Sequence, residues 1–77
     1  MGAVENQIEK LKNIAEQVVI PALDADINNI TAIGMLDEVI DQLRLLEDKN
    51  KEAKKLRIAL YGMRIHVYSQ NKDMFGG

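Results

Sequence analysis

The side chains that carry most enzyme and metal chemistry are scarce in this 77-residue sequence, which has no cysteine and a single histidine, His66. A zinc site needs several thiolate or imidazole ligands, and a serine nucleophile needs an adjacent base. Nothing around Ser69, the one serine, indicates such activation. We therefore expect no catalytic residue, no metal site and no cofactor. On a helical wheel His66 lies between apolar faces, which is typical of a partly exposed polar residue.

One oxygen-rich segment, residues 24–29 (Asp-Ala-Asp-Ile-Asn-Asn), resembles the first half of an EF-hand calcium loop. In that loop, oxygen ligands alternate along the chain, a glycine makes a sharp turn and a final glutamate closes the site. Here Asn29 stands in place of the glycine and Met35 in place of the glutamate. Aspartate and asparagine also favour turns and helix caps. The segment therefore predicts a capped turn between helices.

The end of the sequence carries two short resemblances. Residues 70–75 (Gln-Asn-Lys-Asp-Met-Phe) loosely resemble the peptides that bind bacterial sliding clamps, with a spacing one residue longer. Gly76-Gly77 resembles the diglycine of ubiquitin-like carriers, but those carriers need a mostly β fold and this chain is patterned for helices. We expect residues 70–77 to form a flexible tail.

The net charge of −2 conceals a strong asymmetry: residues 1–48 carry −7 and residues 49–77 carry +5. Such a division predicts a basic contact surface for nucleic acid, an anionic membrane or an acidic protein. Acidic and basic helices that neutralise each other, within one bundle or between two antiparallel copies, account for it as well, and we favour this interpretation. The basic part begins with a cluster of five cations: Lys49, Lys51, Lys54, Lys55 and Arg57.

Composition and periodicity predict a single all-α domain over residues 1–77. A hydrophobic content of 47% is too high for a disordered chain, and no apolar run approaches the roughly 20 residues of a membrane-spanning helix. Thr31 and Asn50 are suitable N-caps for the later helices. Apolar residues recur at spacings of three and four in three main helices, at about 4–19, 32–48 and 51–69.

Pro21 interrupts the first of these patterns. Its ring and its missing N–H do not fit the interior of an unbroken α-helix, and the apolar direction changes by about 120° beyond it. Residues 20–31 are then a kinked extension, a short extra helix that begins near Pro21, or a loop with apolar anchors. The apolar stripe before Pro21 consists of Val4, Ile8, Leu11, Ala15 and Val18.

The last predicted helix has apolar residues on two sides, with Arg57 and Arg64 between them, one heptad apart. A helix of this kind either is central in its bundle or shares one side with a partner. Tyrosine favours the partner, because it suits sites where one end of the side chain is buried and the other is wet. One line is Ala53, Leu56, Leu60, Met63 and Val67, and the second is Ile58, Tyr61, Ile65 and Tyr68.

A strand is the alternative for residues 63–69, where apolar and polar residues alternate and β-branched and aromatic types are common. Gly62 would then be a break before the strand. We favour a helix, because residues 52–56 are a strong helical start and no second strand is available for pairing.

These features predict a small protein–protein interaction module (an adaptor, inhibitor or assembly factor) that forms a homodimer or binds another protein. Docking would bury the line from Ile58 to Tyr68, with Arg57 and Arg64 at its polar rim. The alternative is a nucleic-acid-binding regulator that uses the basic start of the last helix. Because the first residues do not resemble a signal peptide, we expect a cytoplasmic location. Possible contacts to nucleic acid or to an acidic partner are Lys51, Lys54 and Lys55.

Overall fold

The computed structural model describes residues 2–71, in which three helical rods pack side by side. No strand occurs in this range. The all-α prediction is therefore confirmed, and the strand alternative for residues 63–69 is wrong. The first rod consists of α1 (Ala3–Ile14), a π-helical turn (Ala15–Val19) and α2 (Ile20–Ala25), and the others are α3 (Ile30–Leu46) and α4 (Lys51–Gln70).

Short connections at residues 26–29 and 47–50 make neighbouring rods antiparallel. The middle rod, α3, packs against α4 and also against the first rod. Buried side chains from all three rods form one hydrophobic core. Leu36 and Leu43 of α3 are among its largest fully buried members.

A π-helical turn carries the first rod across Pro21. The N–H of Ile20 donates to the carbonyl of Ala15, five residues earlier, in place of the usual four. The wider turn lets the chain absorb a residue that lacks an N–H without ending the rod, and Pro21 stands at the start of α2. Of the three alternatives for the segment after Pro21, a helical extension is the one observed, and it ends at Ala25.

The same turn corrects the predicted apolar stripe. In place of Val18, which is exposed, Val19 is fully buried. A π turn holds more residues than an α turn, so each residue rotates less about the axis and the inward position moves from 18 to 19. Leu23 is the next residue of this rod with a buried side chain.

Asparagine side chains cap both later helices. Asn29 Oδ1 accepts from the N–H of Ala32 at 3.0 Å, so Asn29 is the cap of α3 and the prediction of Thr31 is wrong. Asn50 Oδ1 accepts from the N–H of Glu52 at 2.8 Å, as predicted. Within the preceding turn, Asp26 Oδ1 accepts from the N–H of Asn28 at 3.0 Å. The EF-hand-like segment is therefore a capped turn, and the apolar periodicity resumes beyond it.

Asn71 ties the end of α4 to the turn between α2 and α3. It is only 6% exposed, and its Nδ2 donates to the carbonyl of Ile27 at 3.0 Å and to that of Val67 at 2.9 Å. Gln70, the other residue placed at the start of the predicted tail, is the last residue of α4. The rest of that tail, residues 72–77, lies outside the described residues. The diglycine and most of the segment that resembles sliding-clamp peptides therefore lie outside them too.

Replacement of Asn71 by alanine is expected to lower the free energy of unfolding by about 1–3 kcal/mol, because the side chain is buried and makes two hydrogen bonds. Urea denaturation followed by circular dichroism measures the change. Gln70→Ala, at the exposed neighbouring position, is the matched control and is expected to change stability by less than about 0.5 kcal/mol. Equal effects of the two substitutions would contradict the role given to Asn71.

Candidate docking surface on the last helix

The inner side of α4 belongs to the core. Ala53, Leu60 and Val67 are buried, and Leu56 and Met63 pack against them at the margin. These five residues are the first of the two predicted apolar lines. They fix the rotation of α4 about its axis, and so decide which of its side chains face solvent.

The opposite side of α4 exposes three large apolar residues, which we call the outer stripe: Ile58, Tyr61 and Ile65. Their exposed fractions are 54%, 43% and 56%. They follow one another at spacings of three and four, so they form one continuous patch on the helix surface. Neighbouring apolar side chains exposed together are more informative than scattered ones, because contiguous patches mark interaction sites.

Tyr68, the fourth member of the predicted line, has a different environment. It is half-buried and packs against the core, and its hydroxyl donates to Asp37 Oδ2 of α3 at 2.8 Å. Tyr68 therefore helps to attach α4 to α3, and the outer stripe ends at Ile65.

Arg64 joins Tyr68 in the same cluster. Its Nε lies 2.7 Å from Asp37 Oδ1, and its guanidinium carbon lies 4.5 Å from the centre of the Tyr68 ring and 5.7 Å from that of Tyr61. A cation over an aromatic face is stabilising at these distances. Arg64 thus connects the ion pair with α3 to the edge of the outer stripe.

The hydrogen bond to Asp37 is the largest cause that raises the pKa of Tyr68, followed by burial and by the negative charge of Asp37, while Arg64 opposes them. The hydrogen bond to Asp37 also raises the pKa of Arg64. For Tyr68, the protonated form is favoured in the folded state. The bond therefore adds stability below the pKa of an unfolded tyrosine, about 10. That stability is lost as the pH rises through the higher folded value.

Arg57 makes a second link between the same rods. Its Nε lies 3.0 Å from Glu47 Oε2, and both side chains are largely shielded from solvent. Around the two links, a groove of about 590 Å³ runs between α3 and α4. Three arginines and three acidic residues balance along it: Asp37, Asp41, Arg44, Glu47, Arg57 and Arg64.

The three lysines predicted as contacts all lie in the first two turns of α4. Lys51, Lys54 and Lys55 are exposed. Lys55 Nζ lies 3.7 Å from Glu52 Oε1, but both side chains are more than 70% exposed, so the pair contributes little to stability. The surface next to the amino-terminal end of the outer stripe is therefore positively charged.

Gly62 borders the outer stripe and lies between Tyr61 and Ile65 in the sequence. It is exposed, and a Cβ built on it would meet no atom within 4 Å. α4 passes through Gly62 without a break. Gly34 of α3 has equally open surroundings, but it borders a different, mostly apolar groove of about 430 Å³ between α1 and α3.

Other exposed large apolar residues were not predicted as a surface. Val18 lies in the π-helical turn of the first rod, Ile30 at the start of α3 and Leu45 near its end. His66 is exposed on α4, as expected. Among residues 2–71, no group of three or more histidine, cysteine, aspartate or glutamate side chains is arranged to hold a metal ion.

Comparison with known proteins gave no match to a family model, to a curated protein or to a solved structure. None of the helices in the described part of the chain combines the length and the apolar character that a bilayer crossing requires.

The raised pKa of Tyr68 can be measured directly, because the chain has two tyrosines and Tyr61→Phe leaves Tyr68 as the only one. In that background, the phenolate absorbance is expected to titrate above about 10, the ordinary value for tyrosine. Adding Asp37→Ala is expected to lower the midpoint, because it removes both the hydrogen bond and the negative charge. Asp41→Ala, one turn along α3 and exposed, is the control. Equal midpoints in the two double variants would contradict the contact.

Proposed function

We propose that this chain is a small protein–protein interaction module that associates through the outer stripe of α4, with a second copy of the chain as the partner. The observation that carries the proposal is the exposure of Ile58, Tyr61 and Ile65 on a helix whose opposite side is buried. Aromatic and branched apolar side chains of this kind anchor protein interfaces.

The small size of the domain favours association with a partner. A chain of this length buries only about 60% of its unfolded surface when it folds alone. Packing the outer stripe against another molecule adds buried apolar area to a small core. Since full burial of an isoleucine contributes about 1.5–3 kcal/mol, each half-exposed residue of the stripe adds about 1 kcal/mol.

The expected association is weak. Burial of these three residues in each copy favours association, and the loss of translational and rotational freedom opposes it. The lysines at the start of α4 add a charged rim. Arg57 and Arg64, which the sequence placed at the same rim, are already engaged by Glu47 and Asp37, so their role is to hold α4 in place.

The double variant Tyr61→Ala, Ile65→Ala is expected to raise the dissociation constant of the dimer at least tenfold, or about 1.4 kcal/mol, because it removes two of the three anchors. Sedimentation equilibrium over about 10 μM to 1 mM covers the affinity range of weak complexes. The matched control is Ile30→Ala, Leu45→Ala, which removes two exposed apolar residues of α3.

A chain that stays monomeric up to about 1 mM, where even weak complexes form, would contradict the proposal. So would a control variant that weakens association as much as the double variant in α4. Circular dichroism of each variant establishes that the comparison is made between folded proteins.

A nucleic-acid-binding role is the second candidate, favoured by the exposure of Lys51, Lys54 and Lys55 within two turns of one helix. Lysines arranged in this way bind phosphates without reading the bases, and the affinity then falls steeply as salt is added. The exposed apolar stripe that continues the same helix is unusual for a phosphate-binding face, so we place this function second.

For this role, Lys54→Glu with Lys55→Glu is expected to abolish binding of a short DNA or RNA duplex at low salt, measured by fluorescence anisotropy, because two phosphate contacts become repulsive. Lys10→Glu with Arg44→Glu makes the same charge change at exposed positions on other helices. Absence of binding by the unmodified chain at low salt, or equal loss in both variants, would exclude the lysine site.

A further inference from the structure

We infer that the two copies dock with their α4 helices antiparallel, so that Tyr61 of each copy lies over the partner's Gly62. The inference rests on the proposed function and adds the orientation and the register of the interface. It depends on three observations: the position of the lysines, the order of side chains along the outer stripe, and the open space at Gly62.

Charge disfavours the parallel arrangement. Lys51, Lys54 and Lys55 are all exposed at the amino-terminal end of α4. Two α4 helices side by side in the same direction would bring both sets of lysines together, and like charges at an interface oppose association. The antiparallel arrangement separates the two sets by the length of the helix.

In the antiparallel arrangement, the lysines of one copy lie near the carboxyl-terminal end of the partner's α4, which is a favourable environment for positive charge. A helix carries partial negative charge at this end. Asn71 binds the carbonyl of Ile27 there, which brings the turn with the exposed Asp26 beside the end of α4. No lysine or arginine occurs between residues 13 and 43, and the next two residues after Asn71, Lys72 and Asp73, have opposite charges. In the antiparallel dimer, each lysine cluster therefore lies near the negative end of the partner's helix dipole.

The outer stripe is complementary to itself in the antiparallel direction. A two-fold axis between Tyr61 and Gly62 aligns Ile58 with the partner's Ile65, and Ile65 with the partner's Ile58. The same axis places the largest side chain of the stripe, Tyr61, against the position that has no side chain. Large and small residues that alternate across an interface let two helices approach closely.

The open space at Gly62 gives this register a physical reason. Glycine weakens a helix interior relative to alanine, and no neighbour in the described part of the chain is close enough to exclude a Cβ at this position. The Tyr61 ring of a second copy would occupy that space. Arg64, held by Asp37 and 5.7 Å from the ring centre, restricts the ring on its other side.

Orientation can be tested by cross-linking, because the natural chain has no cysteine. Lys54→Cys and Ser69→Cys place single thiols on the exposed side of α4, outside the apolar stripe. The antiparallel register aligns position 54 with the partner's position 69. When the two variants are mixed, one of them labelled with nitrogen-15, oxidation is expected to give mainly the mixed disulfide, identified by mass spectrometry.

The alternatives give different products. A parallel dimer would give the two homodimeric disulfides, 54 with 54 and 69 with 69, and this result would overturn the inference while leaving association through α4 intact. Statistical amounts of all three species would also overturn it. A wild-type chain that is monomeric in the sedimentation experiment contradicts the proposed function itself, so the two failures are distinguishable.

The register can be tested at Gly62. Gly62→Gln places a polar, helix-favouring side chain in the space assigned to Tyr61 of the partner, and Gly34→Gln makes the same change at an equally open position on α3. We expect both substitutions to stabilise the monomer against urea, since glutamine favours a helix more than glycine. Only Gly62→Gln is expected to raise the dissociation constant, by tenfold or more.

The urea measurement keeps this test interpretable, because a loss of association in a stabilised monomer cannot result from unfolding. If Gly62→Gln and Gly34→Gln leave the dissociation constant equally unchanged, the register is wrong. If both raise it equally, the groove between α1 and α3 takes part in the interface and the α4 register is again overturned.

Discussion

The architecture depends on how much of α4 a three-rod bundle can cover. The core takes one line of its side chains, centred on Ala53, Leu60 and Val67, and there is no fourth rod in residues 2–71 to cover the opposite side. Because the two apolar lines lie on different sides of one helix, burial of the first requires exposure of most of the second. The candidate surface is thus a direct result of how the core is packed.

Electrostatics divides the basic segment into two groups with different roles. Arg57 and Arg64 reach back to acidic residues of α3 and neutralise charge inside the bundle. The lysines at the start of α4 are exposed, and the ion pair of Lys55 with Glu52 is exposed as well. The charge asymmetry of the sequence is therefore partly satisfied within the fold and partly presented at its surface. This division separates residues that hold α4 against α3 from residues that are exposed beside the outer stripe.

Periodicity predicted the helices and the inner line of α4, because apolar spacing reports directly on which side of a helix is buried. It could not predict the π turn, since the choice between a kink and a wider turn at Pro21 depends on the rods packed around it. Val19 replaced Val18 in the core for that reason. Tyr68 differs from the rest of the predicted second line because Asp37, 31 residues away in sequence, binds its hydroxyl and holds the side chain against α3. Asn71 was missed because its partners are backbone carbonyls, which leave no mark in the sequence pattern.

An odd number of rods has a topological consequence. The chain enters the described bundle beside the turn at residues 47–50 and leaves it at Asn71, beside the turn at residues 26–29. The first and last described residues therefore lie at opposite ends of the bundle. In the antiparallel pair that we propose, the exit of one copy and the entry of the other would come to the same pole. A short peptide joining them would connect two copies in tandem without crossing the interface.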